Sequence, residues 1–129
     1  MMTRPEMPRG FGLSMRLVRP ADAGYIHGLR IDPRYNAHLS PVGADVASQR
    51  AWIADYLRRE EAGRERYYLF VRDDTGARFG TVRLSDIGPN SATVGSWILE
   101  TGQPARAVVK CAVLTFDLCF DRMGCAVVE

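Results

Sequence analysis

Lysine is almost missing from this chain: sixteen of its 17 basic residues are arginine, and Lys110 stands alone. Such an imbalance reads as the codon bias of a GC-rich genome rather than as a binding signature. Charge of one sign is also missing. Seventeen basic residues face 15 acidic ones, a net charge of +2, which excludes a dedicated nucleic-acid binder with its strong basic excess. No basic stripe interleaved with aromatics is present either. Histidine is scarce, with only His27 and His38. The three cysteines, Cys111, Cys119 and Cys125, crowd into one segment without metal-ligand spacing to either histidine, so they read as small buried hydrophobes and no metal site is expected. No run is long and apolar enough to cross a bilayer, so no membrane partner is expected. Residues 1–10, with Arg4, Pro5, Glu6, Pro8 and Arg9, lack the apolar core of a signal peptide. A cytoplasmic protein is the expectation.

What is present is an ordinary globular composition, 47% hydrophobic and 25% charged over 129 residues, enough for one domain with its own core. Residues 1–11 are expected to be a flexible tail and 12–129 a single domain. From Gly12 to Val18, Leu13, Met15 and Leu17 alternate with polar positions, which predicts a half-buried strand. Asp22 or Pro20 starts a helix with Tyr25, Ile26 and Leu29 on its apolar face, and Pro33 closes it. Residues 32–44 are a long irregular stretch, either a plain connector or a substrate loop. Asp45 then caps a helix running to about Ala62, with Gly63 as its stop and Val46, Ile53 and Leu57 as its stripe. Residues 66–72 and 79–84 flank a turn at 73–76 and predict a hairpin.

The most informative stretch runs from Ser91 to Val128. Residues 92–99 are rich in β-branched and aromatic side chains and predict a buried strand. Residues 101–104 break it with Gly102 and Pro104. Ala105, Val108, Val109, Ala112, Phe116, Cys119, Phe120 and Met123 then recur at helical spacing and predict the core-facing stripe of a helix. Gly124 stops that helix, and residues 126–128 begin a further strand. A strand, loop and helix in this order present unpaired N–H groups at the positive end of a helix, a recipe for holding phosphate.

The full order is strand, helix, helix, three strands, helix, strand, and it resembles the GNAT superfamily of acyl-CoA N-acyltransferases, in particular its ribosomal-protein and small-molecule branch. Local phrases carry the likeness: Arg16-Leu17-Val18-Arg19-Pro20 with Asp22, Asp32-Pro33-Arg34, Gln49-Arg50-Ala51-Trp52-Ile53, Phe79-Gly80-Thr81-Val82-Arg83-Leu84, Gly95-Ser96-Trp97-Ile98-Leu99 and the segment 114–124. The resemblance implies an α+β fold, a central and mostly antiparallel mixed sheet with helices on both faces. It implies acetyl-CoA as co-substrate, its pantetheine arm along 92–99 on backbone groups of Trp97, Ile98 and Leu99. The pyrophosphate would lie on 101–108, with Gln103, Ala105, Arg106 and Ala107 as contacts. Where the family carries a glycine-rich loop, this chain has Pro104, Ala105, Arg106 and Ala107; Pro104 suits a first helical turn and Arg106 can add a charged contact. Asn36, His38, Ser40, Arg83 and Ser96 are the candidate acceptor-site residues. His38 is either an exposed surface residue or a base near neutrality, and Trp97 either a core aromatic or a pantetheine contact. No catalytic residue is named.

The family continues beyond the equivalent of Glu129 with a helix and two strands that carry a tyrosine acid and an asparagine, and neither can be placed here. A chain truncated in this way is expected to form a homo-oligomer that covers its open edge. The resulting expectation is an acetyl-CoA-dependent N-acetyltransferase acting on the primary amine of a small molecule, such as an amino sugar, or on a peptide N-terminus. The alternative is a truncated, non-catalytic binding or interaction module.

Overall fold

A computed structural model describes residues 7–37, 39 and 45–129, with only the backbone of Ala105. Its centre is a six-stranded sheet in chain order. The strands are β1 (Arg9–Gly10), β2 (Leu13–Leu17), β3 (Arg66–Arg72), β4 (Arg78–Ser85), β5 (Ser91–Leu99) and β6 (Val127–Val128). Neighbours are antiparallel from β1 to β5, and β6 joins β5 in parallel. Among the described residues, three α-helices complete the α+β fold: α1 (Ala23–Ile31), α2 (Val46–Glu61) and α3 (Ala105–Asp117). The parallel pair is the one that needs a crossover, and α3 supplies it.

Most element ends follow the local chemistry read from the sequence. A 3-10 turn Pro20–Asp22 leads into α1, which stops at Ile31, two residues before Pro33. Asp45 caps α2 by accepting from the Ser48 N–H at 2.8 Å, and Gly63 follows the helix at φ +76°, the left-handed stop that glycine permits. The end of the expected N-terminal tail is different. Arg9 and Gly10 pair with Ser14 and Leu13, and Pro8 accepts from the Met15 N–H. Phe11 and Gly12 both have positive φ, the geometry of a tight two-residue hairpin, so the tail gives up its last residues to the sheet.

The helices cover both faces. On one, α1 and α2 bury Val18, Ile26, Ile53, Tyr56, Tyr67 and Leu69. The α2 stripe differs from expectation: Val46 is exposed, Leu57 is only half-buried, and Gln49, Ile53 and Tyr56 face inward. The Tyr56 hydroxyl explains the choice, since it accepts the Tyr67 N–H at 2.7 Å and donates to Glu60 at 2.7 Å. A buried tyrosine satisfied at both ends costs nothing in unpaired polar groups.

On the other face, α3 packs on Leu13, Met15, Phe70, Val82 and Leu84. Here the expected stripe is largely reversed. Val108, Val109, Phe116 and Phe120 are exposed, while Ala107, Cys111, Leu114, Leu118 and Cys119 are buried. The helix is apolar almost all round, so periodicity alone offers two faces. The buried one carries the small side chains Ala107, Cys111 and Cys119, which let α3 lie close to the sheet; a Cβ on Gly10 would stand only 3.2 Å from Leu114 Cδ2. Beyond Asp117 the helix widens into a π-helical turn, Leu118–Arg122, and ends at Gly124 with φ +73°.

Candidate functional site

The site is built on β5. Its first half is shared between two neighbours: Val94 and Thr93 pair with Leu84 and Ser85 of β4, while Ser91 and Ala92 pair with Val127 and Val128 of β6. The Val94 N–H still donates to the Glu129 carbonyl at 2.7 Å. Beyond that bond, residues 95–99 have β4 on one side and no strand partner on the other among the described residues. Their outward N–H and C=O groups are left for another molecule, because an open strand edge is a row of unused donors and acceptors.

A kink sits where the pairing stops. The β4–β5 register shifts between Thr81 and Arg83, and Ser96 has φ +48°, uncommon for any residue other than glycine. The buried Thr81 hydroxyl donates to the Ser96 carbonyl at 2.9 Å and holds the bulge from behind. Gly80 is forced by the same close approach, since a Cβ there would collide with the Ile98 carbonyl and the Leu99 side chain. A bulge re-aims the strand and often borders a functional site.

The side chains of the open half diverge. Trp97 is half-buried and meets Phe70 edge-on at 5.6 Å on the α3 face. Leu99 joins the same core. Ile98 points to the opposite face, buried with Leu29 and Tyr35. Backbone groups, not side chains, are what this stretch offers along its edge.

The strand then enters the loop before α3. Pro104 occupies the N-cap with no side-chain cap, and the Ala107 N–H donates back to the Pro104 carbonyl at 2.8 Å. The N–H groups of Ala105 and Arg106 precede the first intrahelical bond and point out of the turn. Arg106 is exposed, Ala107 is buried and Gln103 is half-buried. A cavity of about 480 Å³ adjoins this turn, lined by Phe79, Gln103, Pro104 and Ala107 among others. The helix end supplies partial positive charge and unpaired donors, which suits an anion.

Residues 32–37 pin that loop from the side. The Tyr35 hydroxyl accepts the Thr101 N–H at 2.9 Å and lies 3.3 Å from the Thr101 hydroxyl, and Arg34 reaches that hydroxyl too. Asp32 holds Arg34 in place through both carboxylate oxygens. One residue earlier, Glu100 accepts from the Tyr25 hydroxyl at 2.7 Å. Burial and the Glu100 carboxylate push the Tyr25 phenol well above its usual range, so it remains a donor at neutral pH. Arg78 lies over the Tyr25 ring at 4.6 Å and bonds Asp22. Burial alone would raise the Asp22 carboxyl, but Arg16, the Arg19 N–H and Arg78 outweigh it and hold it below the ordinary carboxylate range.

Among the acceptor-site candidates, Ser96 lies at the bulge and Asn36 is half-buried, its N–H bonded to the Asp32 carbonyl. His38 and Ser40 lie outside the described residues. Arg83 is placed differently from the rest: it pairs across strands with Gly95, but its guanidinium is held by Glu65 at 2.6 Å and rests over Trp52 at 5.3 Å. Glu65 also takes Arg59. These contacts make Arg83 one part of an ion-pair cluster with α2. Reading the sequence overlooked Thr81 and Tyr35. A threonine in a strand looks ordinary, and only the register puts its hydroxyl behind Ser96. Burial pushes the Cys111 thiol up to about 12 and Cys119 to about 11, so these thiols are protonated and inert at neutral pH. Among the described residues no cluster of histidine, cysteine and carboxylate has the makings of a metal site, and no helix is long and apolar enough to cross a membrane.

The acetyltransferase (GNAT) domain model matches residues 13–129. Among solved structures, apo FdhC, a nucleotide-linked sugar GNAT, is 36% identical with a TM-score of 0.76 over 88% of this chain. This chain spans 65% of that protein's length. The ribosomal-protein-S5-alanine acetyltransferase from Vibrio fischeri is 18% identical with a TM-score of 0.69, covering 91% of this chain and 68% of its own. RimL, a ribosomal L7/L12 α-N-protein acetyltransferase solved with coenzyme A, is 16% identical with a TM-score of 0.69, covering 92% and 70%. These last two likenesses concern the fold alone. No curated protein matches. A family model that accounts for all but the first twelve residues, over a sheet broken open at β5, assigns the chain to the GNAT acetyltransferase domain family.

Proposed function

We propose that this chain is an acetyl-CoA-dependent N-acetyltransferase whose acceptor is the primary amine of a small molecule, an amino sugar or nucleotide-linked amino sugar ahead of a peptide N-terminus. The observation that carries the reading is the open edge of β5 over residues 95–99, running directly into an uncapped α3 N-terminus. An extended pantetheine arm fits such an edge as an added strand would, through backbone groups of Trp97 and its neighbours, and a pyrophosphate fits the donors of Ala105 and Arg106. Arg106 adds charge to that contact. The preference for an amino sugar is supported by the relative of 36% identity, which is described as a nucleotide-linked sugar GNAT. The two ribosomal-protein enzymes lend less support to a peptide acceptor, at 18% and 16% identity.

Acetyl-CoA supplies an activated thioester. The acceptor amine attacks its carbonyl carbon, a C–N bond forms, the C–S bond breaks, the ammonium gives up a proton and the thiolate takes one. The contribution of the chain's own residues is positional. Thr81 and Gly80 hold the bulge, Tyr35 and Tyr25 fix the loop that follows, and backbone N–H groups at the open edge face the oxygen on which charge develops. For the acceptor side the reading takes Asn36, Ser96 and the neighbourhood of Arg83, with His38 and Ser40 as sequence candidates that lie outside the described residues.

Calorimetric titration with acetyl-CoA, followed by mass spectrometry of candidate amines incubated with protein and acetyl-CoA, tests this reading. Saturable 1:1 binding and a 42-Da gain on an amino sugar, consistent with exchange of one N–H for an acetyl group, is the expected result. Binding without acetylation of any amine would favour a binding module, and no binding would remove the proposal altogether.

A further inference from the structure

Among the described residues, the outward face of α3 has no partner. Val108, Val109, Val113, Phe116 and Phe120 are each between 44% and 63% exposed, and the Phe116 and Phe120 rings stack at 6.2 Å. They border a shallow groove of about 590 Å³. Five large apolar side chains on one helix face form a patch that usually marks an interface. The charges beside it identify the partner. Arg106, Lys110, Asp117 and Asp121 recur at intervals of four, seven and four residues, so they share one flank of the helix. The basic pair stands at the N-terminal end and the acidic pair at the C-terminal end. Among the described residues, neither Arg106 nor Lys110 makes an ion pair. The two aspartates crowd each other: Asp117 pushes the Asp121 carboxyl up, and Asp117 accepts from Arg122 Nε at 3.4 Å.

We propose that this face binds a second copy of the same chain, with the two α3 helices antiparallel about a two-fold axis. In that arrangement one register sets Lys110 opposite Asp117 of the second copy and Arg106 opposite Asp121. The two-fold repeats each pair, and the valines and phenylalanines between them leave water together. Parallel helices about a two-fold axis would put the two charged flanks on opposite sides of the seam, where they could not pair, so the same four residues specify the direction as well as the partner. The apolar strip provides the attraction, and the flank provides the register. The interface lies apart from the open edge of β5, but Arg106 belongs to the proposed pyrophosphate contact and Lys110 lines the cavity beside the α3 N-terminus, so the test rests first on Val113 and Asp117.

Light scattering after size exclusion at about 50 μM should give twice the mass of the 14.4-kDa chain. Because Lys110 is the chain's single lysine, a carbodiimide should join it to Asp117 of the second copy, and the joined peptide is identifiable by mass. Lys110→Asp and Asp117→Lys should each weaken the dimer at least tenfold. Mixed in equal amounts, the two variants should recover it, since one is then acidic at both positions 110 and 117 and the other basic at both. Val113→Glu should give a monomer with an unchanged circular dichroism spectrum. A monomeric parent at 50 μM would overturn the proposal, and so would a dimer that survives Val113→Glu or lacks the Lys110–Asp117 crosslink. None of these outcomes depends on acetyl-CoA, so the dimer and the proposed activity stand or fall separately.

Discussion

The two halves of β5 are one strand with two different fates. Residues 91–94 share their bonds among β4, β6 and Glu129, and residues 95–99 keep β4 but have an open edge among the described residues. Both halves are built from strand-forming side chains, so composition does not distinguish them. The difference arises at the bulge, where Ser96 takes positive φ and the Thr81 hydroxyl holds its carbonyl. The paired half spends its backbone on stability. The open half holds its backbone in reserve and depends on supports from other places: Gly80 and Thr81 beneath it, and Tyr25 and Tyr35 at its far end.

If that division is right, the open half should be most sensitive to the residues that support it from below. Gly80→Val should have the largest effect, because the added carbons have the Ile98 carbonyl and Leu99 in their way. A loss of about 3 kcal/mol or more is expected, from denaturant titration. Gly95→Ala, where a Cβ meets open space, should change stability by less than about 0.5 kcal/mol. Equal effects at the two glycines would erase the distinction.

The network beyond the end of β5 should titrate in acid. Asp22 is nearly inaccessible, bonded to Arg16, Arg78 and the Arg19 N–H, and Asp22→Ala should cost about 2–3 kcal/mol at neutral pH. Its folded pKa is depressed, so its contribution is complete above the unfolded value of about 4 and is lost as pH falls below that toward the folded value. Unfolding curves between pH 6 and 2.5 should show the parent losing stability below pH 4 and approaching the Asp22→Asn variant. A constant gap between the two down to pH 2.5 would contradict the assignment.

Smaller effects should separate support from contact. Thr81→Val keeps the shape of a fully buried side chain and removes the bond to Ser96, at a cost of about 1–2 kcal/mol. Acetyl-CoA affinity should fall with it, because the bulge loses its brace. Arg106→Ala should leave stability unchanged and weaken acetyl-CoA binding by about tenfold at low salt, as one exposed charge-assisted contact would. Calorimetry at two ionic strengths measures the second effect. Loss of the salt dependence is the sign that the right cation was removed.

Much of the fold was legible because its signals are local. Pro33 closes α1, Asp45 opens α2, Gly63 ends it, and residues 73–76 turn the hairpin through chemistry contained within a few residues. The order of these elements then carried the family resemblance. What stayed hidden depends on pairings across the chain. Periodicity could not choose between the two apolar faces of α3, and the small residues that let it approach the sheet decided the matter. The positive φ of Ser96 follows from the β4 register. The Tyr35 contact to Thr101 spans 66 residues, and Arg83, read as an acceptor-site residue, is committed to Glu65 by the fold of β3 and α2. Trp97, Ile98 and Leu99 lie within β5, but nothing in their identities showed that the edge beside them is open.

Amide chemical shifts followed during titration with acetyl-CoA test the central claim most directly. The account predicts saturable shifts confined to residues 95–99 and to the α3 N-terminal turn at 103–108, with the amides of residues 91–94 unmoved because their bonds are already made. Shifts concentrated in the paired half or elsewhere on the surface, or no shifts at millimolar acetyl-CoA, would contradict it.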